Sequence, residues 1–209
     1  VLGLITKDTF CFAVAGTHGK TTTSSILGHV LYESGADVTS FLGGIVENYN
    51  SNLIVKGKTV TVVEADEFDR SFLHLHPNIA CVTSMDADHL DIYGTEESFR
   101  EGFQEYADKH KEGNLVVYKS GLPLKQTGFK GISYGIDTPE AQVSGTNLHY
   151  SEGEFRMDLR FENEVWKEVV LGLPGIHNAE NAVAVAVMCR ELGLSEAEIR
   201  SGLKGFKGV

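Results

Sequence analysis

The feature that most constrains this chain is a glycine-containing turn that joins an apolar run to a long helical pattern. Residues 10–14 are apolar, and they are followed by Gly16, by Gly19-Lys20-Thr21 and then by helical periodicity. A strand, a turn and a helix in this order point backbone N–H groups and a helix N-terminus at one place, which favours an anion. The lysine of such a turn reaches nucleotide phosphates, and the next hydroxyl lies where magnesium binds. The sequence therefore predicts a phosphate-binding loop.

This loop is shorter than the common form. The usual pattern G-x-x-x-x-G-K-[ST] has a glycine six residues before the lysine, and Val14 stands there in this chain. The alternative, a helix start capped by threonines, leaves Lys20 and both glycines unexplained. We expect Lys20 to face solvent. The residues expected to contact phosphates are Gly16, Thr17, His18, Gly19, Lys20, Thr21 and Thr22.

Composition limits the function classes. The chain has 209 residues, of which 42% are hydrophobic and 22% charged, so it can bury a core and carry a small second subdomain. A net charge of −11 disfavours nonspecific binding to nucleic acid or anionic membranes. Its cysteines, Cys11, Cys81 and Cys189, lie in apolar runs and indicate buried thiols in a reducing compartment. The apolar start is too short for a signal peptide or a membrane span, and both ends look cut from a longer protein.

Periodicity predicts a mostly parallel sheet. Strands are expected at residues 9–15, 37–42, 78–84 and 114–118, and helices at 20–34, 95–109, 178–192 and 195–203. Residues 52–56 and 58–64 are expected to form a hairpin-like pair. Between 130 and 172 the short alternating runs predict an antiparallel meander. The predicted fold is a three-layer, P-loop-type α/β fold. Its mostly parallel sheet has helices on both faces and carries a small antiparallel β-subdomain.

Acidic side chains follow the strand at residues 60–63. Glu64, Asp66 and Glu67 come directly after it. Carboxylates at the C-terminal end of a strand beside a phosphate loop can hold magnesium, directly or through water. A solvated acidic turn is the alternative. Glu64 is the first candidate because it is the first residue off the strand.

The strand at residues 78–84 also leads into acidic residues and a histidine. Asp86 and Asp88 precede His89 and Asp91. A neutral imidazole can bind a divalent ion, and a neighbouring carboxylate can fix its tautomer. A loop histidine without a role is the alternative. We expect His89 to lie near a metal.

A third cluster follows Pro174-Gly175. It contains His177, Asn178 and Asn181. Asn178 is expected to cap a helix that starts there. The other interpretation is that the imidazole and the two amides contact the edge of a heterocycle, because an amide both donates and accepts hydrogen bonds.

Together the three clusters resemble the Mur ligase family, ATP-dependent enzymes that form amide bonds in peptidoglycan precursor synthesis. The resemblance is to the central ATPase domain and covers residues 1–204, with the antiparallel insertion at about 130–172. Residues 205–209 would begin a hinge to an absent C-terminal domain, and the N-terminal domain for the UDP-sugar would also be absent. The resemblance implies ATP and one or two Mg²⁺ ions. It implies catalytic roles for Lys20 and His89, metal contacts from Thr21, Glu64 and His89, and adenine contacts from His177, Asn178 and Asn181.

Within the family, the acidic residues around Glu64 and His89 look most like the branch that joins L-alanine to UDP-N-acetylmuramate. Both substrates would bind through the flanking domains of a bacterial cytoplasmic enzyme, with no nucleic acid or membrane partner. Several relatives place a carbamylated lysine where Phe103 and Gln104 stand here. This departure disfavours the branches that add glutamate, diaminopimelate or lysine, and D-Ala-D-Ala. The tripeptide-recycling branch remains a competitor.

Other classes stay open at this point. The chain could be a nucleotide-binding module that is inert without its flanking domains. It could be another P-loop enzyme, such as a kinase or a mechanical ATPase, although the clusters at His89 and at His177-Asn178 argue against that. Folylpolyglutamate synthetase shares the architecture, but its motifs fit the loop and the acidic cluster less well.

Overall fold

The computed structural model describes residues 1–68, 70–86, 93, 95–109 and 114–209. The strands in this part are β1 Phe10–Ala15, β2 Val38–Val46, β3 Ser51–Val55, β4 Val60–Glu64, β5 Ile79–Val82, β6 Leu115–Lys119, β7 Lys130–Ile136, β8 Val143–Ser151, β9 Glu154–Arg160 and β10 Val165–Leu171. The α-helices are α1 Leu2–Asp8, α2 Lys20–Glu33, α3 Glu96–Asp108, α4 Ile176–Leu192 and α5 Glu196–Gly205. A 3₁₀ helix, Ser71–His74, precedes β5.

The strands form one sheet in the order β10-β9-β8-β7-β6-β5-β1-β4-β2-β3. β1 lies at the centre of the phosphate-loop half and pairs in parallel with both β4 and β5. These three strands are almost wholly buried, which explains their continuous apolar runs. The prediction of a mostly parallel α/β fold is confirmed. Because the strands are parallel, the carboxyl ends of β1, β4, β5 and β6 share one edge of the sheet.

Helices cover both faces of this sheet. α2, α4 and α5 cover one face, where the core includes Leu27, Val30, Val185 and Ile199. α3 and the 3₁₀ helix cover the other face, where aromatic rings from both helices pack together; these rings are Phe72, Phe99, Phe103 and Tyr106. The predicted three-layer arrangement is therefore present.

Helix caps follow the sequence signals. The Thr95 side chain accepts a hydrogen bond from the Ser98 N–H at the start of α3, at 3.1 Å. Ser195 and Glu198 form a complete capping box at the start of α5. Capping side chains satisfy backbone donors that have no partner inside the helix, so both starts were readable from local sequence.

The pairing of β3 differs from the expected hairpin between residues 52–56 and 58–64. β3 pairs antiparallel with β2, whereas β4 enters between β1 and β2 and is parallel to both. The turn between β3 and β4 is held instead by Asp37, whose carboxylate accepts from the N–H groups of Lys58 and Thr59 at 3.1 Å each. The apolar strand β4 gains more burial in the sheet centre than beside the half-exposed β3.

The region expected to form an antiparallel meander continues the main sheet. β8, β9 and β10 are antiparallel neighbours, as predicted. β7, however, is parallel to both β6 and β8. A parallel connection normally needs a dozen or more residues, but β7 and β8 overlap through only three residue pairs, from Tyr134↔Val143 to Ile136↔Gly145. Residues 137–142 therefore suffice to connect them.

Helix α1 lies near one end of the described chain, and a segment fixed to the turn after β2 lies near the other. The apolar start forms α1, which the sequence reasoning did not assign to a helix. Near the other end, the side chain of Asn48 accepts from the Lys207 N–H and donates to the Gly205 carbonyl, both at 2.9 Å. Phe206 is buried against the ring of His29. Part of the segment at which a hinge is expected, residues 205–209, is thus fixed to the turn after β2, and the hinge itself stays a prediction.

The three cysteines are buried free thiols, as predicted. Burial raises the pKa of Cys11 and of Cys81 to about 12, so both stay protonated and unreactive at neutral pH. Among the described residues, none of the helices is long and apolar enough to cross a membrane.

Candidate functional site

The phosphate-loop region, residues 15–21, lies at the carboxyl edge of the parallel strands. It follows β1, which is in register with β4 through Val14↔Glu64 and with β5 through Ala15↔Val82. The loop, the acidic turn after β4 and the residues after β5 therefore meet at one place. This is the edge at which open α/β sheets bind ligands.

Two glycines give the loop its shape. Gly16 has φ +136°, and a Cβ there would lie 2.2 Å from Thr83 Oγ1. Gly19 has φ +81° and precedes the first residue of α2. Only glycine adopts both conformations without strain. α2 then begins at Lys20, so the helix N-terminus points into the loop, with Thr22 half-buried in its first turn.

Two hydroxyls after β5 fix the loop, and the sequence reasoning missed both. Thr83 Oγ1 donates to the carbonyl oxygens of Ala15 and His18. Ser84 Oγ accepts from the His18 N–H at 2.7 Å and lies 2.8 Å from Thr17 Oγ1. A hydroxyl pair directly after a central strand was the available signal, but its role depends on β5 lying beside β1.

Lys20 does not face solvent as expected. Only 17% of its side chain is exposed, and Nζ donates to the Gly16 carbonyl at 2.7 Å. Nζ also contacts both carboxylate oxygens of Glu67, at 3.0 and 2.9 Å. The Glu67 side chain is 2% exposed. A carboxylate this deeply buried is stable only beside a cation. Lys20 therefore turns inward to pair with Glu67 instead of facing solvent.

Glu64 and Thr21 are brought into direct contact. Thr21 Oγ1 donates to Glu64 Oε2 at 3.0 Å. The other carboxylate oxygen accepts from Ser24 Oγ at 3.2 Å and from the N–H of Gly43. A Cβ at Gly43 would lie 2.7 Å from Glu64 Oε2, so glycine lets β2 approach the carboxylate closely. A carboxylate and a hydroxyl are the hard oxygen ligands that magnesium prefers.

The residues expected to complete a metal site are not among those that the structure describes. His89, with its neighbours Asp88 and Asp91, falls outside the described residues. Within the described ranges, no group of three or more His, Cys, Asp or Glu side chains converges as a metal site. Asp86 lies 3.9 Å from His18 Nε2, and both side chains are about three-quarters exposed. Such an exposed pair contributes little to stability.

The third cluster is adjacent to the loop, although its helix starts earlier than expected. α4 begins at Ile176 with Gly175 as its N-cap, so Asn178 does not cap it. Asn178 lies inside the first turn, and its amide donates to the Pro174 carbonyl at 2.7 Å. The positive φ of Gly175, +104°, allows the chain to enter the helix directly after the Pro-Gly turn.

Asn181 connects this cluster to the loop. It is buried, and its Oδ1 lies 3.0 Å from the position that a Cβ at Gly19 would occupy. His177 is exposed on the preceding turn. The Asn181 amide is therefore adjacent to the phosphate loop, while the roles of His177, Asn178 and Asn181 stay predictions.

Phe103 and Gln104 both make contacts that stabilise the fold. Phe103 is fully buried in the aromatic core. Gln104 joins α3 to the loop after β6: its amide donates to the Lys125 carbonyl at 2.8 Å, and its oxygen accepts from the Lys125 N–H at 2.9 Å. A lysine at either position would lose these contacts.

A cavity of about 500 Å³ opens beside the loop. Lys20 and Glu64 line it, together with residues of β2, β3 and α1; these are Leu2, Phe41, Leu42, Gly43, Asn52 and Leu53, and Asp66 also contributes.

The chain is similar to known proteins along its whole length. The UDP-N-acetylmuramate–L-alanine ligase of Flavobacterium psychrophilum is 59% identical over 209 residues, which is 100% of this chain and 45% of that protein. The chain thus spans less than half the length of this relative.

Solved structures agree with this likeness. The UDP-N-acetylmuramate-alanine ligase of Thermotoga maritima superposes with a TM-score of 0.84 and 29% identity, covering 99% of this chain and 47% of that one. The UDP-N-acetylmuramate:L-alanyl-gamma-D-glutamyl-meso-diaminopimelate ligase of Neisseria meningitides superposes with a TM-score of 0.85 and 25% identity, covering 100% of this chain and 69% of that one. A family model described as the Mur ligase middle domain matches residues 14–189. The chain therefore belongs to the Mur ligase middle-domain family.

Proposed function

We propose that this chain is the ATP-binding central domain of a UDP-N-acetylmuramate–L-alanine ligase. The observation that carries the proposal is the contact of Thr21 with Glu64 at the carboxyl edge of the sheet, beside the cavity that Lys20 also lines, in a chain that matches an enzyme of that name at 59% identity. Such a ligase joins an acid to an amine with ATP, through an acyl phosphate, in the bacterial cytoplasm. The buried free thiols are consistent with a reducing compartment.

The reaction requires charge neutralisation above all. The lactyl carboxylate of UDP-N-acetylmuramate attacks the terminal phosphorus of ATP, the bond to the bridging oxygen breaks, and ADP leaves. The amine of L-alanine then attacks the acyl carbon and releases phosphate. Both reactants of the first step are anionic, so a cation at the transferred group lowers the barrier. Lys20 would supply that charge, and the N–H groups of the loop and of the start of α2 would hold the phosphate chain.

Thr21 and Glu64 would hold magnesium. Their oxygens are 3.0 Å apart, and the carboxylate and hydroxyl are suitable ligands for this ion. Bound magnesium would screen the charge on the phosphate oxygens. Ser24 and the Gly43 N–H orient the Glu64 carboxylate. A second-ion contact and a catalytic role for His89 remain predictions.

The nucleoside would extend from the loop toward α4. Asn181 lies against Gly19, and His177 and Asn178 occupy the preceding turn. Amides can donate to and accept from the edge of adenine. We assign these three residues to the base.

The tripeptide-recycling ligase is the second candidate. The likeness to the Neisseria meningitides structure, at a TM-score of 0.85, favours keeping it. The two candidates share the nucleotide site and differ in the amine that they accept, so their discrimination depends on parts of the protein outside residues 1–209. A third candidate, a nucleotide-binding module without ligase activity, differs in having no amide product at all.

Two assays test the proposal. In the first, the 209-residue chain is titrated with a nonhydrolysable ATP analogue and magnesium in a calorimeter, and we expect weak binding. In the second, the full-length parent protein is incubated with ATP, UDP-N-acetylmuramate and a panel containing L-alanine, other amino acids and the tripeptide. We expect amide formation with L-alanine. The 209-residue chain serves as the control and should form no amide, because it lacks the positioning worth up to about 7–11 kcal/mol.

The outcomes separate the candidates. Preference for the tripeptide would favour the recycling ligase. Nucleotide binding by a full-length protein that forms no amide with any acceptor would favour the binding module. Amide synthesis by the 209-residue chain alone would show that the substrate sites lie within it.

A further inference from the structure

We propose that Glu67 is a positioning residue that competes with nucleotide phosphates for Lys20 and so makes binding of the phosphate chain depend on magnesium. This inference rests on the proposed function, because it concerns the same nucleotide site. It begins from the buried ion pair between Lys20 and Glu67.

All three donors of the Lys20 ammonium have acceptors in the structure. One hydrogen bond goes to the Gly16 carbonyl at 2.7 Å, and the other two contacts are to the Glu67 carboxylate oxygens at 3.0 and 2.9 Å. An ammonium carries three donors and no more. A phosphate oxygen that binds Lys20 must therefore take a donor from Glu67 or from Gly16.

The Glu67 side chain cannot move out into solvent when it loses a contact with Lys20. Its side chain is 2% exposed, and its backbone carbonyl accepts hydrogen bonds from the Arg70 N–H, at 3.2 Å, and from the Tyr93 hydroxyl. The 3₁₀ helix that follows starts from this turn, since the Phe72 N–H donates to the Asp66 carbonyl at 3.1 Å. The carboxylate therefore stays beside Lys20 and shares its charge with the incoming phosphate.

The effect of Glu67 on phosphate binding has a predictable sign. Glu67 cancels the charge of Lys20 locally, so a phosphate chain without magnesium meets a lysine that is already neutralised and a carboxylate that repels it. Charge for the phosphates must then come from a cation held at Thr21 and Glu64. Glu67 would also keep Nζ directed along the loop, and this direction is needed to reach the transferred phosphoryl group.

The test is Glu67→Gln, which keeps the size and one acceptor of the side chain but removes its charge. Binding of ATP to the full-length protein is measured by calorimetry in EDTA and in excess magnesium. We expect the Kd in EDTA to fall by about tenfold, as a released charge-assisted contact allows, and the Kd in magnesium to change less. The magnesium dependence, given by the ratio of the two values, therefore falls. In the ligation assay, we expect kcat to fall while KM for ATP does not rise.

Asp86→Asn is the matched control. It removes the same formal charge from a carboxylate near the loop that contacts His18 rather than Lys20. Its Kd ratio should stay within about twofold of wild type, because exposed charges are screened. Thermal unfolding of each variant without nucleotide checks that it is folded.

Two results would overturn the inference. An unchanged Kd ratio in Glu67→Gln, with wild type binding ATP normally, would leave the proposed function standing and remove the role of Glu67. A folded Glu67→Gln protein with both affinities reduced by the same factor would give Glu67 only a structural role. Failure of wild type to bind ATP in either buffer would overturn the proposed function as well.

Discussion

Two regions of the sheet use ion pairs in opposite ways. In the phosphate-loop region, the pair of Lys20 with Glu67 is buried, and its carboxylate is 2% exposed. In the antiparallel region, β8–β10, the carboxylate of Asp158 is also buried but its lysine, Lys167, is 71% exposed. A buried pair is costly to break because one partner is left without a counter-ion, whereas a pair with a solvated partner contributes little. The buried pair of Lys20 with Glu67 therefore marks the phosphate-loop region as the place where this domain buries charges that stability alone does not require.

Backbone conformation follows the same division. Gly16 and Gly153 both have positive φ, at +136° and +82°. A Cβ at Gly16 would collide with Thr83 and Ser84, but a Cβ at Gly153 would meet nothing within 4 Å. Gly16 is thus constrained by its neighbours, and Gly153 only by its own dihedral angles.

The largest effect is expected from Lys20→Met. Ligation by the full-length protein should fall by about a hundredfold or more, because a charge at the transferred phosphoryl group is lost. The free energy of unfolding should also fall by about 3 kcal/mol, since Glu67 is left buried without its cation. Activity and urea denaturation measure the two effects.

The double variant Lys20→Met/Glu67→Gln separates these two effects. It removes the unpaired carboxylate, so we expect stability to recover while activity stays low. If Lys20→Met alone unfolds at the same urea concentration as wild type, the buried pair has no energetic weight and the comparison between the regions fails.

Gly16→Ala is expected to come next. The methyl group would lie 2.2 Å from Thr83 Oγ1 and 2.8 Å from the Ser84 nitrogen, so the loop must move away from β5. We expect the free energy of unfolding to fall by about 3 kcal/mol, because of strain at positive φ together with steric overlap. Gly153→Ala is the matched control and should cost only about 1 kcal/mol. Equal losses in thermal unfolding would show that the neighbours of Gly16 do not constrain it.

The sequence was sufficient to predict the local structure at the centre of this candidate site. The strand, turn and helix around Lys20 are local features, and periodicity alone locates them. Thr21 and Glu64 were expected near one magnesium ion at the edge where parallel strands end, but their direct contact also requires β4 to lie beside β1 rather than in the expected hairpin. In the structure these two side chains are 3.0 Å apart.

Other contacts depend on the order of strands, which local patterns do not encode. Thr83 and Ser84 hold the loop only because β5 lies beside β1. The pairing of Lys20 with Glu67 depends on how the turn after β4 folds back under the loop. The prediction that Lys20 faces solvent was wrong, because the burial of Glu67, 47 positions away, decides where the Lys20 ammonium lies.

Glu64→Gln should have a smaller, more specific effect. The amide keeps the hydrogen bond from Thr21 but is a poor ligand for magnesium. We expect the strengthening of ATP binding by magnesium to fall by about tenfold, with little change in binding in EDTA. Calorimetric titration in both buffers measures this. An opposite pattern, with loss of affinity in EDTA only, would contradict a metal contact at Glu64.

The smallest effect is expected from Lys167→Ala in the antiparallel region. Burial acts to raise the pKa of Asp158, but its contacts with Lys167 Nζ, at 2.7 Å, and with the Glu168 N–H, at 3.0 Å, hold the pKa below its usual value. After the substitution the Glu168 N–H still donates a hydrogen bond to the Asp158 carboxylate. The free energy of unfolding at pH 7 should therefore fall by about 1 kcal/mol or less.

The pH dependence of that loss identifies its cause. Because the pKa of Asp158 is lower in the folded protein, the pair stabilises the fold above the unfolded value of about 3.9 and loses its effect as pH falls through the folded value. The difference between wild type and Lys167→Ala, measured by urea denaturation, should be constant from about pH 5 to 7 and should shrink as the pH falls below the unfolded value of about 3.9. Lys7→Ala, which changes an exposed lysine of α1, should shift stability by less than about 0.5 kcal/mol. A Lys167→Ala loss as large as that of Lys20→Met would mean that exposure of the cation does not decide the strength of these pairs.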